Sequence, residues 1–380
     1  MKTDPINILF TGDICPINRI EELALKGDYA SIFNDFMDVF QGNDLNIVDL
    51  ECPLTEHNHG RPKTGPYQKA HPDCINILKY AGVNVAAMAN NHIMDYGSKG
   101  ASDTIDLCRN SQIETIGIGK NDGEAAQPYT IEINGKKIAI LCFADDEFIS
   151  TPDNGFFANP LDIIEASYSI DRVRSEHDYV FVIVHAGNEF YELPSPRTKK
   201  LYRFLVDRGA DAVIAHHTHA FSGYEVYNGK PVFYGLGNFI YDWPGKTNSP
   251  WNKGYVVKFS IDDQLHYRII PLKQSNKQPG VFHLNADEEN NFMEEMERLN
   301  TIIGDDEQLE LAFQKYCDGV NPMYDAFIEP WFGKYITALR KRGLFPNLMS
   351  KRKRLLLLNI IRCESHRDVL LRMLKPYEKQ

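Results

Sequence analysis

The sequence predicts an α/β protein in which amphipathic helices cover a largely buried, mixed β-sheet. Short apolar runs alternate with helix-like segments through roughly the first two thirds of the chain, and this alternation is typical of layered α/β packing. Two Asn-Gly pairs, at 134–135 and at 228–229, lie between apolar runs at the spacing of tight β-hairpins. Hairpins introduce antiparallel pairs, so we expect a mixed sheet.

The apolar runs give the predicted strands in order. They are INILFTG, LNIVDL, NVAAMAN, ETIGIG, KKIAILCFA, DYVFVIVHA, DAVIAHH and PVFYGLGNF. The segments DCINILKYAG, GASDTIDLCRNSQ and SPRTKKLYRFLVDRGAD between them have the apolar spacing of amphipathic helices. After about Leu272 the pattern becomes helical, first acidic and then basic. We therefore predict one domain over 1–275 and a mainly helical, basic extension over 276–380.

Cysteine usage and the N-terminal residues indicate the compartment. The seven cysteines are scattered and form no Cys-x-x-Cys pair, which favours reduced thiols over a disulfide framework. The N-terminal residues MKTDPINILFTGD lead directly into an apolar strand and do not resemble a signal peptide. We therefore expect a soluble, cytoplasmic protein.

Charge is distributed unevenly along the chain. The net charge is −11, yet residues 334–380 contain 13 Lys and Arg against 3 Asp and Glu, a net charge of +10. This segment either packs on the acidic body or contacts an anion such as a polyanionic substrate or the inner membrane surface. Nucleic acid is not an expected partner, because the chain lacks an aromatic-rich basic platform.

Potential metal ligands follow six of the predicted strands at their carboxyl ends. They are Asp13, Asp49, Glu51, Asn90, Asn91, His92, His185, Glu189, His216, His217, His219 and Asn238. In open α/β sheets, ligands bind in the crevice outside the carboxyl ends of the strands. Carboxylate, amide and imidazole donors together suit Mn²⁺, Zn²⁺, Fe²⁺ or Co²⁺, and this many donors suit a pair of ions.

Each of these residues also has an ordinary structural interpretation. Asp13 is able to cap a turn, Asn90 and Asn91 are common turn residues, and His185 alone fits a hydrogen-bonded core position. We expect at most one of Asp49 and Glu51 to face the site, on the premise that they point to opposite faces of an extended chain. The structural interpretation has to explain six coincidences separately, and we therefore favour a metal site.

Six short motifs resemble the CapA family of capsule and poly-γ-glutamate biosynthesis proteins, a branch of the calcineurin-like metallophosphatase superfamily. The motifs are TGD (11–13), DLECPL (49–54), ANNHIMDYG (89–97), HAGNEF (185–190), HHTHA (216–220) and GLGNF (235–239). Their order and spacing match those of the family's motifs, and the resemblance covers roughly residues 6 to 245. It implies a four-layer α/β/β/α sandwich with mixed sheets.

The resemblance also implies a dinuclear site that holds two divalent transition-metal ions, Mn, Zn or Fe. Its metal ligands would be Asp13, Glu51, Asn91, His185, His217 and His219. His92 would protonate or stabilise the leaving group, and Asp95 would orient His92. Glu189 would contact the substrate or a ligand.

The chain departs from the superfamily pattern at several positions. Cys15 replaces the His of Asp-x-His, VDLE replaces Gly-Asp-x-x-Asp, and AHHTH replaces Gly-His-His-Pro-His. Ala186 stands where the family commonly has Trp. These changes leave open whether Cys15 or His216 reaches the site, and they make Glu51 an inferred bridging carboxylate.

Two functions are compatible with these features. One is a metal-dependent hydrolase in which a hydroxide held by two ions attacks a phosphoester or an amide of an anionic polymer or phosphoester substrate. The other is a non-catalytic accessory protein for the assembly or export of a surface polymer. His92 distinguishes them, since turnover would require it and polymer binding would not.

Overall fold

The computed structural model describes residues 4–63, 65–149, 155–328, 333–346, 349–362 and 374. Backbone contacts divide the chain into two compact units, Met1–Leu309 and Glu310–Gln380. The strands of the first unit are β1 (Ile6–Cys15), β2 (Leu45–Leu50), β3 (Val85–Ala87), β4 (Glu114–Ile116), β5 (Ile118–Gly119), β6 (Tyr129–Ile133), β7 (Lys136–Ala144), β8 (Phe157–Ala158), β9 (Tyr179–His185), β10 (Ala212–His216), β11 (Tyr224–Tyr227), β12 (Lys230–Phe233), β13 (Asn238–Tyr241), β14 (Lys253–Ile261), β15 (Leu265–Gln274) and β16 (Val281–His283).

Two large mixed sheets form within the described residues. The eight-stranded sheet has the order β16-β15-β14-β1-β2-β3-β4, with β13 paired to β1, and the six-stranded sheet has the order β11-β12-β10-β9-β7-β6. Strands β1 to β4 are mutually parallel, as are β7, β9, β10 and β12. Antiparallel pairs lie at the edges, and the predicted mixed sheet is confirmed.

Among the described residues, helices lie between the strands and after β16. They are α1 (Arg19–Leu25), α2 (Ala30–Phe33), α3 (Ile75–Tyr80), α4 (Gly97–Asn110), α5 (Asp122–Ala125), α6 (Ile163–Arg174), α7 (Pro196–Asp207), α8 (Ala286–Gly304), α9 (Asp306–Ile328), α10 (Lys334–Lys341) and α11 (Lys351–Arg362), with 3₁₀ turns at Asn34–Phe40, Pro72–Cys74 and Pro250–Asn252.

The two sheets pack face to face through aromatic side chains. The ring of Phe181 on β9 lies 5.4 Å from that of Phe10 on β1 and 5.0 Å from that of Phe259 on β14. Helices α6 and α7 cover the outer face of the six-stranded sheet. On the other side, Phe36 of the 3₁₀ turn packs on Phe239 of β13. The layers are therefore α/β/β/α, as predicted.

Both predicted hairpins form, for a local steric reason. The turn residues Asn134 and Gly135 have φ values of 49° and 75°, and Asn228 and Gly229 have 50° and 75°. Asn and Gly tolerate this left-handed region, which matches the twist of paired strands. The turns connect β6 to β7 and β11 to β12.

The long hairpin of β14 and β15 was not predicted from the sequence. Strand β14 pairs with β1 over residues 257–261 and with β15 along its whole length, which extends the eight-stranded sheet beyond β1. Alternating residues of YVVKFSI are the signal that was available. This hairpin makes the C-terminal part of the predicted 1–275 domain integral to the sandwich.

Helix α8 extends the first unit past residue 275. Phe292 stacks on Phe221 at 4.1 Å between ring centroids, and Asn300 accepts a hydrogen bond from the amide of Tyr224 at 2.7 Å. Asn285 caps the helix and Glu288 completes the capping box. The acidic side chains face away from this apolar stripe, which explains the acidic pattern in the sequence.

The second unit is helical over its described residues. It contains most of α9 together with α10 and α11. Leu355 and Leu358 on α11 are about half exposed, and much of the basic segment beyond 362 lies outside the described residues. Within the described parts of the chain, no helix is long and apolar enough to cross a membrane.

Candidate metal centre

The candidate site lies where the carboxyl ends of strands from the two sheets meet. Asp13 on β1 is paired in register with Asp49 on β2, and His185 on β9 is paired with His216 on β10. Because the sheets pack face to face, these two parallel edges bring the carboxylates of one sheet against the imidazoles of the other. All four side chains are buried.

The chain turns sharply after β10, at the HHTH motif. His217 and His219 have φ values of 86° and 53°, a region that residues with a Cβ rarely adopt. The carbonyl of Thr218 between them accepts a hydrogen bond from the amide of Phe190 at 2.8 Å. Strained backbone of this kind persists where the surroundings fix it, and it concentrates at functional sites.

Glu51, His185 and His217 form one group of donor atoms. One donor atom from each lies within 4.8 Å of the others. Nε2 of His185 is 3.2 Å from Nδ1 of His217 and 3.6 Å from Oε1 of Glu51. Oδ1 of Asn91 lies 3.1 Å from the same His185 nitrogen. Four of the six predicted ligands therefore converge here.

Asp13, Glu51 and His219 form a second group that meets the same distance limit. Nδ1 of His219 lies 3.3 Å from Oδ2 of Asp13, and Nε2 lies 3.6 Å from Oε1 of Glu51. The carboxylate of Glu51 belongs to both groups, which is the arrangement expected of a bridging ligand. Asn238 contacts Nδ1 of His219 at 3.0 Å and fixes the ring.

His216, whose position was open from the sequence, lies at the site. Its Nδ1 is 2.8 Å from Oδ1 of Asp13, and it forms a third donor group with Asp13 and Asp49. Cys15 is fully buried, and burial together with the neighbouring thiol of Cys52 raises the pKa of its own thiol. His216 thus belongs to a donor group, whereas Cys15 belongs to none of the three groups found among the described residues.

One expectation about the β2 strand was wrong. Asp49 and Glu51 both reach the cluster, since Oδ2 of Asp49 lies 3.2 Å from Nδ1 of His185 while Glu51 approaches Nε2 of the same ring. The premise of opposite faces was wrong, because residues two apart in an extended chain point to the same face. Asp49 thus orients the ring of His185, whose other nitrogen faces Glu51.

The donors fit a cation because a buried carboxylate has no hydrogen-bond donor. Neither oxygen of Glu51 has a hydrogen-bond partner among the described residues, and its side chain is fully buried. The nearest imidazole nitrogens, at 3.6 Å, are beyond hydrogen-bond distance. The two imidazoles offset the buried charge of Glu51 only through space, and a divalent cation would give its oxygens a direct partner.

Electrostatic coupling divides the cluster into charged and neutral groups. Burial opposes the charge of Asp13, but hydrogen bonds to His216 and His219 outweigh it and hold the pKa of Asp13 below its ordinary value. Burial opposes the charge of His219 as well, yet Glu51 and Asp13 raise its pKa to about 9. Burial and the charge of His185 lower the pKa of His217. The neutral ring of His217 is therefore the readier ligand.

His92 and Asp95 lie beside the cluster, on the turn after β3. Nδ1 of His92 is 2.7 Å from Oδ2 of Asp95. Nε2 of His92 has no hydrogen-bond partner among the described residues. Asn90, on the same turn, is a turn residue, as its structural interpretation proposed. Its Oδ1 accepts hydrogen bonds from the backbone amides of His92 and Ile93, and its side-chain amide donates one to the carbonyl of Leu50.

Lys63 is a site residue that the sequence did not reveal. Its side chain is only 2% exposed, and its Nζ lies 2.5 Å from Oδ1 of Asp95 and 3.4 Å from Nδ1 of His92. The rings of Phe148 and Tyr67 flank the ammonium at 5.1 Å and 5.7 Å. The Gly- and Pro-rich segment around it carries no periodic pattern, so no sequence signal indicated a buried lysine.

Two carboxylates lie at the solvent side of the cluster. Oε2 of Glu147, which sequence reasoning missed, is 3.8 Å from Nε2 of His217. Burial and repulsion by Glu189 raise the pKa of Glu147. Glu189 itself is exposed, and its predicted contact with substrate or ligand stays a prediction.

The fold and the cluster together define a class of protein: an α/β/β/α sandwich with a buried Asp, Glu and His cluster where the strand ends of both sheets meet. Comparison of the sequence with protein-family models gives the family. The model described as bacterial capsule synthesis protein PGA_cap matches residues 7–243. This is more than half of the chain, and the chain belongs to that family, as the predicted CapA resemblance required.

Similar proteins carry capsule and polymer names. The chain is 30% identical over 248 residues to the PGA biosynthesis protein CapA of Bacillus subtilis strain 168, covering 63% of this chain and 64% of that protein. It is 28% identical over 250 residues to the capsule biosynthesis protein CapA of Bacillus anthracis, covering 63% and 61%. A probable polyglutamine synthesis accessory protein of Mycobacterium tuberculosis is 24% identical over 217 residues, covering 53% and 57%. The matched region spans about three fifths of these relatives.

Solved structures with a similar chain path include phosphoesterases. The calcineurin-like phosphoesterase YfkN of Bacillus subtilis is 13% identical, with a TM-score of 0.39 and coverage of 81% of this chain and 99% of that one. A 5'-nucleotidase precursor of Thermus thermophilus is 11% identical, with a TM-score of 0.40 and coverage of 83% and 59%. Likeness at this level carries no inference about activity.

Proposed function

We propose that this protein is a metal-dependent hydrolase that cleaves a phosphoester or an amide bond of an anionic substrate. The observation that carries the proposal is the carboxylate of Glu51, which is buried without a hydrogen-bond donor between the rings of His185 and His219. Packing alone gives no reason to bury such a group. Binding of a pair of divalent cations would give a reason to bury it.

Two donor sets sharing Glu51 would hold the ions. Asp13 and His219 complete one set, and His185, His217 and Asn91 complete the other. This mixture of carboxylate, amide and imidazole suits Mn²⁺, Zn²⁺ or Fe²⁺. When bound, such ions lower the pKa of water and offset the negative charge that develops on the scissile group.

His92 then handles the proton of the leaving group. Its Nδ1–H donates to Asp95, so Nε2 is the nitrogen left to face a substrate. In hydrolysis the oxygen of a water molecule forms a bond to phosphorus or carbonyl carbon, and the bond to the leaving oxygen or nitrogen breaks. The leaving atom takes the Nε2 proton of the His92 imidazolium, and the water's proton passes to solvent.

Asp95 and Lys63 keep His92 in that orientation. Asp95 accepts from the amide of Gln68 at 2.7 Å, from Lys63 at 2.5 Å and from His92. With three donors on its carboxylate, Asp95 fixes the position of the His92 ring and keeps a proton on its Nδ1. Both side chains act through His92 and neither has to touch the substrate.

The substrate class follows from family membership and from charge. Relatives are named for capsule, PGA and polyglutamine synthesis, and a cationic centre favours a substrate that carries acidic groups. We therefore propose an anionic surface polymer, or a phosphoester intermediate of it, as the substrate. Contact of the basic segment 334–380 with a polyanion or a membrane, the expected absence of nucleic acid, and a cytoplasmic location stay predictions.

The first test measures metal content. Protein purified without chelator or metal resin is compared with the His217→Ala/His219→Ala variant by elemental mass spectrometry. We expect about two transition-metal ions per chain in the wild type and their loss in the variant. The matched control is His57→Ala/His59→Ala, two histidines that belong to none of the three buried donor groups, and it should keep the metal. A wild type that takes up neither Mn²⁺ nor Zn²⁺ refutes the proposal.

The second test separates catalysis from binding. An aryl phosphate monoester, an aryl phosphate diester and a γ-glutamyl amide serve as substrates for the wild type and for His92→Ala. We expect the variant to keep its metal and its fold and to lose turnover by about 10²–10⁴-fold, the usual contribution of general acid catalysis. Turnover that survives in His219→Ala contradicts the mechanism.

A non-catalytic accessory role is the second candidate function. One relative is named an accessory protein of polymer synthesis, and a metal site also serves structure or binding. In this case metal is present, no ester or amide is cleaved, and His92→Ala binds the polymer as well as the wild type does. Wild-type turnover that requires His92 excludes this candidate.

A further inference from the structure

Two stacked aromatic rings, one exposed and one buried, adjoin the candidate metal centre with a lysine over them. This group consists of Phe190, Trp251 and Lys246, and we call it the aromatic platform. The ring of Trp251 lies 4.6 Å from the ring of His219, so the platform begins one ring away from the donors. Neither the ligand set nor the proton transfer by His92 uses it.

Trp251 gives the platform a rigid base. Its side chain is 5% exposed, and its indole N–H donates to the carbonyl of Tyr241 at 2.8 Å. The ring packs at 4.8 Å on Tyr241 and at 5.9 Å on Trp243. An indole held on three sides has little rotational freedom to lose when a ligand binds.

Phe190 is exposed at a position where burial does not explain it. Its side chain is 55% exposed, and its φ of 61° lies in the left-handed region, which is unfavourable for a bulky residue. Its ring stacks on Trp251 at 6.0 Å and an interplanar angle of 30°. The fold therefore maintains strain to present an aromatic ring to solvent beside the cluster.

Lys246 places a positive charge over both rings. Its Nζ lies 4.6 Å from the centroid of Phe190 and 5.7 Å from that of Trp251. The backbone is fixed on both sides, because the amide donates to the carbonyl of Trp243 at 3.1 Å and the carbonyl accepts from Asn252 at 3.0 Å. An ammonium attracted to aromatic faces still has N–H donors to offer an anion.

The carboxylates near this loop are engaged elsewhere. Arg19 binds Asp242 through two nitrogens, and Lys253 pairs with Glu295 at 2.8 Å. Among the described residues, no carboxylate oxygen lies within 4 Å of the Lys246 ammonium, including that of Glu189 next to Phe190. The charge of Lys246 is therefore not neutralised by an ion pair within this part of the chain.

We propose that the aromatic platform is a second anion-binding subsite, in which Lys246 holds an acidic group of an extended polyanion while a neighbouring group of the same molecule lies at the cluster. This inference rests on the proposed function for the site at the cluster. It adds a requirement for at least two acidic groups in the ligand. The acidic group is a carboxylate or a phosphate, and both are acceptors for an ammonium.

The test measures affinity for probes that carry one or several acidic groups. Inorganic phosphate, a linear γ-linked triglutamate and linear triphosphate are titrated by calorimetry, each against protein loaded with Mn²⁺ and dialysed, and against metal-free protein. The variants are Lys246→Met, which keeps the apolar stem, and Lys246→Arg, which keeps the charge. The matched control is Lys137→Met, an exposed lysine at the amino end of β7, the sheet edge opposite the site.

We expect Lys246→Met to bind at least one of the multi-anion probes about tenfold more weakly, the effect of losing one charge-assisted hydrogen bond. Lys246→Arg should stay within about threefold of the wild type, since it keeps the charge, and phosphate affinity should not change. The probe that loses affinity identifies the acidic group as carboxylate or phosphate. Equal affinities in Lys246→Met and Lys137→Met overturn the subsite, as does a wild type that binds neither multi-anion probe at millimolar concentration.

Failure of the subsite and failure of the proposed hydrolase function give different results. Lys246-dependent binding without turnover of any substrate upholds the subsite and refutes the hydrolase. Turnover of a polyanionic substrate with the same KM in wild type and Lys246→Met upholds the hydrolase and refutes the subsite.

Discussion

Replacing Lys63 with Met tests whether the residues behind His92 form a buried ion pair. The ammonium of Lys63 is enclosed, with 2% of the side chain exposed, and it lies 2.5 Å from Oδ1 of Asp95, which is fully buried. Met has a similar length and keeps the apolar stem between the rings of Phe148 and Tyr67. The substitution therefore removes the charge and little else.

The structure sets the size of the effect. Removing one partner of a buried pair costs about 3–5 kcal/mol, because the other charge stays buried without compensation. Asp95 keeps two donors, the amide of Gln68 at 2.7 Å and the imidazole of His92 at 2.7 Å. We therefore expect the lower end, a loss of about 3 kcal/mol in the free energy of unfolding.

Equilibrium urea unfolding followed by tryptophan fluorescence measures this loss as a shift of the midpoint at constant slope. The matched control is Lys99→Met, which removes the same group from an exposed pair with Asp103 on α4. That pair is worth about 0.3–0.5 kcal/mol. The double variant Lys63→Met/Asp95→Asn should be more stable than Lys63→Met, because it leaves no unpaired charge.

A loss below about 1 kcal/mol for Lys63→Met would fall within the range of exposed pairs, and the ammonium would then be solvated and not buried. A double variant less stable than the single variant would show that Asp95 has other partners that matter more. Either result would refute the ion pair as the support of His92.

Two further predictions concern stability. Burial opposes the charge of Glu225, but the hydrogen bond from Arg203 outweighs it and lowers the pKa of Glu225 below its ordinary 4.5. The ion pair therefore stabilises the fold above pH 4.5, and this stabilisation is lost as the pH falls further below 4.5. Glu225→Gln should therefore cost about 1 kcal/mol at pH 7 and progressively less below pH 4.5 in urea unfolding; a cost that grows in acid would contradict this sign. Gly12→Ala should destabilise by more than about 3 kcal/mol, because its Cβ would lie 2.0 Å from the carbonyl oxygen of Gly237. Gly229→Ala, with open space around its Cβ and a φ of 75°, should cost only about 1–2 kcal/mol, and equal losses in the two variants would rule out the backbone contact as the cause.

The sequence predicted most of the eight-stranded and six-stranded sheets because their central strands are buried on both faces. INILFTG and DYVFVIVHA read as continuous apolar runs, and they became β1 and β9. The hairpin of β14 and β15 was missed because one of its faces is polar over much of its length and it follows an irregular loop. Its apolar and polar residues alternate, which a search limited to apolar runs does not detect.

The sequence alone also indicated that the predicted ligand residues lie at the carboxyl ends of strands. Parallel register puts the carboxyl ends at one edge within each sheet, and the face-to-face packing of the two sheets brings Asp13 close to His185 and the HHTH motif. The expectation for Asp49 and Glu51 was wrong because residues two apart along a strand point to the same face.

The sequence by itself determined the fold class and the family and placed the candidate ligands at strand ends, since apolar periodicity and motif spacing are local properties of the chain. The tertiary structure decided what depends on contacts between distant segments. Lys63 is paired with Asp95 from a loop without periodic pattern, Lys246 lies over Phe190 from another loop, and Glu51 is left without a donor. Such pairings arise from the burial of side chains separated by tens of residues, and no local pattern records them.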